Sequence, residues 1–173
     1  MSIEPGLTPD ARPRRDFGAL SLRPEQPEDQ AFLFELYSTT RQEELDAWGW
    51  PAEVRGPFLK MQFQASQGYH AAFPTADFQI VLLNGRSAGR LVVNRSSEDL
   101  RIVDIALLPE HRNAGIGSTL VQRTCDEAAA RRKPVRLCVL KSNRAQRLYA
   151  RLGFVTMSQT ELHLEMQWRI PNF

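Results

Sequence analysis

Leu107-Leu108-Pro109-Glu110-His111-Arg112-Asn113-Ala114-Gly115-Ile116-Gly117-Ser118 is the stretch on which the fold turns. It reads as the end of an apolar strand, a proline-led turn and a glycine-spaced helix start. Glycines at 115 and 117 let the backbone approach a ligand closely. The free N–H groups of a first helical turn, with the positive end of the helix dipole behind them, make an anion cradle, and Arg112 adds a positive charge. The spacing excludes two other phosphate loops: the Walker pattern G-x-x-x-x-G-K-[ST] and the dinucleotide fingerprint G-x-G-x-x-G are both absent.

Downstream, Ile116, Leu120, Val121, Cys125, Ala128 and Ala129 trace one helical stripe that predicts a helix to about Arg132. Pro134 to Leu140 reads as a strand. Ala145, Leu148 and Leu152 mark a second stripe, with Gly153 where a left-handed cap belongs. Phe154 to Met157 and Leu162 to Trp168 suggest a closing hairpin. Upstream, Leu100 to Leu108 is so nearly continuous in apolar residues that it reads as a central strand buried on both faces. Asp77 to Leu83 and Ser87 to Val93 form a hairpin about Asn84-Gly85. Before it come a short strand, Leu20 to Arg23, and two helices, about Glu28 to Leu45 and Val54 to Gln67, parted by Trp48, Gly49, Trp50 and Pro51. This order predicts an α/β (α+β) fold: a mixed, mostly antiparallel central sheet of about six to seven strands flanked by about four helices.

With 173 residues, one hydrophobic core plus a short appendage is expected: a flexible tail over residues 1–19 and a single domain over 20–173. Hydrophobic residues at 42% and charged residues at 24% exclude a disordered chain. A formal charge of +2 gives no dense basic surface, so nucleic acid is not an expected partner. No apolar run suits a signal peptide or a membrane span, and two cysteines, Cys125 and Cys138, are too few for a disulfide framework. Both thiols fall in apolar-periodic segments, where they would pack as small hydrophobes. A cytoplasmic protein without membrane attachment is the expectation.

One helix and one strand after the glycine-spaced loop stands Asn143-Arg144-Ala145-Gln146-Arg147-Leu148-Tyr149-Ala150-Arg151-Leu152-Gly153-Phe154. The pairing of the two stretches resembles the GNAT N-acetyltransferase superfamily. There an R/Q-x-x-G-x-G/A loop binds the coenzyme A pyrophosphate, and an A-x-x-x-Y-x-x-x-G-F stretch places a tyrosine beside the thioester sulfur. Ala145, Tyr149, Gly153 and Phe154 match the second pattern. The resemblance covers about Leu20 to Phe154 in element order and is specific from Ile102 to Phe154. Two departures stand out: Asn143 lies one residue later than the family's asparagine, and Ala114 replaces a common glycine.

The resemblance implies acetyl-CoA as co-substrate, held by Arg112, Asn113, Ala114, Gly115, Ile116, Gly117 and Ser118, with Asn143 nearby, and no metal. It implies that the strand end at Ile105 and Leu107 pairs with the pantetheine arm, and that Tyr149 is the acid for the departing thiolate. Asp104, a carboxylate within the apolar run, is the candidate base, or else a buried hydrogen-bond partner; alternation turns it away from the face of Ile105 and Leu107. His70 and His111 are further candidates. Arg41 to Trp50, mixing carboxylates with tryptophans, could wall a pocket for an amine with an apolar body. Arg131, Arg132, Lys133 and Arg136 form a basic cluster that could guide the cofactor's 3′-phosphate or simply be a solvated helix end. The function expected is acetyl transfer to a primary amine of a small molecule, peptide or protein. A non-catalytic acyl-CoA sensor and the acetylation of aminoacyl-tRNA are the alternatives, and a homodimer is left open.

Overall fold

The computed structural model describes residues 18–170. Seven strands form one sheet: β1 (Leu20–Pro24), β2 (Ala76–Leu83), β3 (Arg86–Arg95), β4 (Leu100–Leu107), β5 (Val135–Leu140), β6 (Val155–Gln159) and β7 (His163–Trp168). Their order is β1-β2-β3-β4-β5-β7-β6, antiparallel throughout except for the parallel pair β4 and β5. The mixed, mostly antiparallel architecture expected from the sequence is present.

Asn84 (φ 51°) and Gly85 (φ 78°) supply the left-handed pair that a two-residue hairpin between β2 and β3 requires. Asn84 also fixes the chain before β1: its N–H donates to the Ala19 carbonyl at 2.9 Å, and its Oδ1 accepts from the Ala19 N–H at 3.0 Å. The described chain is thus held from Ala19, inside the segment expected as tail; residues 1–17 of that segment lie outside the described residues.

Helices α1 (Gln30–Trp48) and α2 (Ala52–Ser66) cover one face of the sheet, where Leu33, Phe63 and Ile80 form a small core. Trp48 ends α1 instead of lying in the break, because Gly49 at φ 64° takes the left-handed cap. A single helical turn, α3 (Tyr69–Ala72), was not foreseen. Helices α4 (Ile116–Ala130) and α5 (Ala145–Arg151) join the main core on the other face, where Leu120, Val121, Cys125 and Ala128 of α4 meet Val81, Val93, Ile102, Leu137 and Met166. Cys125 is buried there, and burial pushes its thiol up to about 12. Cys138 corrects the sequence reading: alternation along β5 turns it outward, and it is exposed.

The central strand also departs from expectation. Val92 pairs with Asp104 but Val93 pairs with Ile102, so Val103 is an extra residue, a β-bulge. Ile102 on one side of the bulge and Ile105 and Leu107 on the other therefore all reach the main core, while Asp104 shares the opposite face with Arg90 and Val92. Bulged strands bend and twist more strongly. Parallel pairing with β5 ends where the bulge begins, after Leu100–Val135, Arg101–Arg136 and Ile102–Leu137. Beyond that point β4 and β5 part, and residues 103–106 are half-buried instead of buried on both faces.

Candidate active site

The parted strands form a cleft with an open backbone edge on β4, since residues 103–107 have β3 on one side and no strand partner on the other. Ile105 and Leu107, expected to meet a pantetheine arm, lie on this stretch. At its end the chain turns through Pro109–His111, then Asn113 (φ 58°) and Gly115 (φ 94°) in left-handed conformation, into α4. No side chain caps α4. The first-turn N–H groups of Ile116, Gly117 and Ser118 are those that an anion would satisfy. A methyl group added at Gly117 would meet only Leu148 at 3.8 Å and Leu107 at 4.0 Å, ordinary contacts. Packing does not demand glycine at 117, whereas a ligand seated on the turn would. The loop residues from Arg112 to Ser118 thus come together as one cradle.

Arg112 does not aim its whole charge at that cradle. Its Nε donates to the Leu107 carbonyl at 2.8 Å, and Nη2 donates to Thr39 Oγ1 of α1 at 3.0 Å. It ties the loop to the strand end and to the first helix. Asn143 is also engaged locally: its Oδ1 accepts from the Ala145 N–H at 2.9 Å, completing the start of α5.

Tyr149 of α5 is 5% exposed and packs against Phe154 with ring centroids 5.8 Å apart. Burial, and then the nearby Asp104 charge, push its hydroxyl up to about 12. The phenol stays protonated at any ordinary pH. The Asp104 charge thus reaches the Tyr149 hydroxyl, so the two groups lie within electrostatic range of one another. Asp104 is recessed but open, with 35% of its side chain exposed. Burial raises its pKa; the Arg90 guanidinium and the Ile105 N–H pull it part of the way back. A carboxylate whose pKa burial raises and that solvent still reaches is a better proton acceptor than an ordinary aspartate.

Three comparisons bear on this geometry. Residues 74–156 match the family model described as the acetyltransferase (GNAT) domain. The chain carries a GNAT acetyltransferase domain. No curated protein sequence matches it significantly. Among solved structures, the PaiA N-acetyltransferase of Thermoplasma acidophilum, determined in complex with coenzyme A, is 15% identical with a TM-score of 0.66, over 88% of this chain and 100% of its own. Ard1 of Thermoplasma volcanium is 20% identical with a TM-score of 0.61, over 90% and 100% of the two chains. YncA of Salmonella typhimurium, determined with its cofactor acetyl-CoA, is 20% identical with a TM-score of 0.56, over 90% and 96%. At these identities the likeness concerns the fold.

Within the GNAT domain, sequence reasoning missed the partners of Asp104. Arg90 of β3 approaches it, with Nη1 at 3.7 Å from Oδ2, and its Nε lies 3.3 Å from Glu25 Oε2. Arg90 also stands over the Phe78 ring, 5.4 Å from its centroid, and His70 stacks on that ring at 3.8 Å while its Nε2 lies 3.6 Å from Glu25 Oε1. The signal was available, because Arg90 interrupts an apolar strand just as Asp104 does. Glu25 was concealed in Pro24-Glu25-Gln26-Pro27, which reads as a helix entry.

The basic cluster after α4 serves the fold: Arg131 pairs with Glu127 at 2.8 Å, Lys133 Nζ donates to the Ser96 carbonyl at 2.7 Å, and Arg136 faces Asp99 at 3.5 Å. Two adjoining hollows of about 140 and 390 Å3 lie beside α1 and α2 and share Tyr37, Arg41 and Gln62; of the Arg41 to Trp50 stretch, Arg41, Glu44, Leu45 and Trp48 line the first. Trp48 and Phe58 of the first hollow cluster with Trp50: Phe58 meets both tryptophans edge to face, and the two tryptophans are tilted, with centroids 4.9 to 6.2 Å apart. Among the described residues no group of three or more metal-ligating side chains occurs, and no helix is long and apolar enough to cross a membrane.

Proposed function

We propose that this chain transfers an acetyl group from acetyl-CoA to a primary amine of a small molecule, peptide or protein, by direct attack within a ternary complex. The observation that carries the reading is the cleft where β4 leaves β5, ending at an uncapped helix start, with Asp104 on the parted stretch of β4. The N–H groups of residues 115–118 would take the pyrophosphate, and the open β4 edge at Ile105 to Leu107 would pair with the pantetheine amides and polarise the thioester carbonyl. Coenzyme A and acetyl-CoA in two structures of the same fold support the choice of donor.

In this reading Asp104 takes one proton from the acceptor ammonium, which frees the nitrogen lone pair for attack on the carbonyl carbon. The new C–N bond forms as the C–S bond breaks, the second nitrogen proton passes to the sulfur through solvent, and Tyr149 donates a hydrogen bond to that sulfur. Much of the acceleration would come from holding the two reactants together. Residence in the cytoplasm is part of the proposal, supported by two free cysteines.

The test is a screen of amines of each class for release of free thiol from acetyl-CoA by the purified chain. Turnover with one amine and an acetylated product by mass supports the reading. Tight acetyl-CoA binding without thiol release from any amine would overturn it in favour of a sensor.

A further inference from the structure

Glu25, Arg90 and Asp104 stand in a row from the end of β1, across β3, to the cleft edge of β4. The middle residue is a single guanidinium shared by two carboxylates. Arg90 is 11% exposed and Glu25 is 7% exposed, so the rear pair is removed from water, while Asp104 at the front is reachable. The sheet dictates the alignment: Arg90 pairs with Ile80 on one side and Ala106 on the other, and the bulge at Val103 brings Asp104 onto the same face. The Phe78 ring beneath Arg90 leaves the guanidinium little freedom. The rear contact is nonetheless imperfect, since neither Glu25 Oε2 nor Arg90 Nε has a hydrogen-bond partner at good geometry. Glu25 therefore holds Arg90 by charge without a well-formed hydrogen bond, and a different nitrogen of the same guanidinium, Nη1, faces Asp104.

We propose that Arg90 is a positioning residue for the acceptor half of the site: held from behind by Glu25, it presents Nη1 to Asp104 and keeps that carboxylate ionised and aimed into the cleft, where the acceptor ammonium gives up its proton. Glu25 tunes this by competing for the same guanidinium. The inference rests on the transferase reading for its catalytic use but not for its electrostatics. Among the described residues, Arg90 from β3 and the Ile105 N–H of its own strand act on Asp104, and the Asp104 charge reaches Tyr149 of α5; Glu25 meets Arg90 from the far side, and His70 meets Glu25.

The arrangement makes a signed prediction. A unit positive charge at 3.7 Å in surroundings between watery and protein-like lowers a carboxyl midpoint by about one to three pH units. Carbon-13 titration of the side-chain carboxyls in the ligand-free full chain should show the Asp104 midpoint rising by that amount in Arg90→Met and returning most of the way in Arg90→Lys. It should fall below wild type in Glu25→Gln, because a competing negative charge is gone. A purely structural role would alter melting temperature in all three variants but would not give shifts of opposite sign. Glu25→Gln keeps Arg90 and carries the test if Arg90→Met does not fold. In the thiol-release assay, the acid limb of kcat/KM should move in the same directions while acetyl-CoA affinity stays level. Opposed midpoint shifts support the proposal; an unmoved midpoint, or shifts of one sign, overturn it. If the shifts are opposed and no amine releases thiol, the transferase reading falls and with it the catalytic use of this contact.

Discussion

Replacing Tyr149 with Phe removes one oxygen from the cleft and leaves the ring in place. With the hydroxyl pushed up to about 12, about one molecule in ten thousand is ionised at pH 8, so wild type always offers a proton. The same shift limits what the proton can do. A thiol near the ordinary value of about 8.5 is a stronger acid than this phenol by more than three pH units, so full transfer to the departing sulfur runs uphill. Tyr149 then acts chiefly as a hydrogen-bond donor to a developing anion, a contact worth about 1.5 to 3 kcal/mol, which converts to a fall in kcat of about 10- to 150-fold. Steady-state thiol release at saturating acetyl-CoA gives kcat, and calorimetry gives the affinity, which should stay level. A melting temperature within a few degrees of wild type is expected, because the ring and its contact with Phe154 remain. Unchanged kcat with lowered stability would refute the reasoning and assign the hydroxyl to the fold. A loss far beyond a hundredfold would refute the magnitude and restore Tyr149 as a full proton donor.

Three further outcomes follow from the geometry. Gly117→Glu finds room for its Cβ but puts a carboxylate in the anion cradle; acetyl-CoA affinity should fall at least about a hundredfold, with the melting temperature held, and undiminished affinity by calorimetry would remove the loop from the site. Gly89→Ala should do the reverse, because its Cβ would lie 2.3 Å from the Ala106 carbonyl on β4; a cost of about 1–3 kcal/mol, or roughly 2 to 12 °C in melting temperature, is expected, and an unshifted melt would sink the claim. The pH profile of kcat/KM should lose activity as pH falls through a midpoint above the ordinary aspartate value, since burial raises Asp104 and the reaction needs its ionised form. It should show no descending limb from Tyr149 below about 12, and an acid limb at the unperturbed value would exclude Asp104 as base.

The sequence was most legible where a physical demand is local. Asn84-Gly85 needs left-handed backbone, Gly115 needs it before α4, and the stripe from Ile116 to Ala129 has a single period; each stands where its residues put it. The bulge was legible only in retrospect. Ile102 and Ile105 are three apart, a spacing a regular strand cannot place on one face, and the apolar run was read as burial on both faces instead. What the sequence withheld were pairings across distance. Arg112 was read as a positive charge of the anion cradle because nothing nearby in the chain announces Thr39, 73 residues away. Glu25, Arg90 and Asp104 meet only because β1 to β4 lie side by side in one sheet.

Among the described residues, the three residue pairs that join β4 to β5 are the strand pairing between two unequal panels, β1 to β4 and β5 with β7 and β6. In the first panel β2, β3 and β4 follow one another through tight turns and β1 joins by way of α1 to α3; the second is attached through this short seam and through α4. A molecule whose own amides lay along the open edge would extend the seam, in effect an extra strand supplied from outside. The grip of such a ligand and the cohesion of the sheet would then be one quantity: every contact that binds it would also hold the panels together, and the free enzyme would be the more loosely joined form.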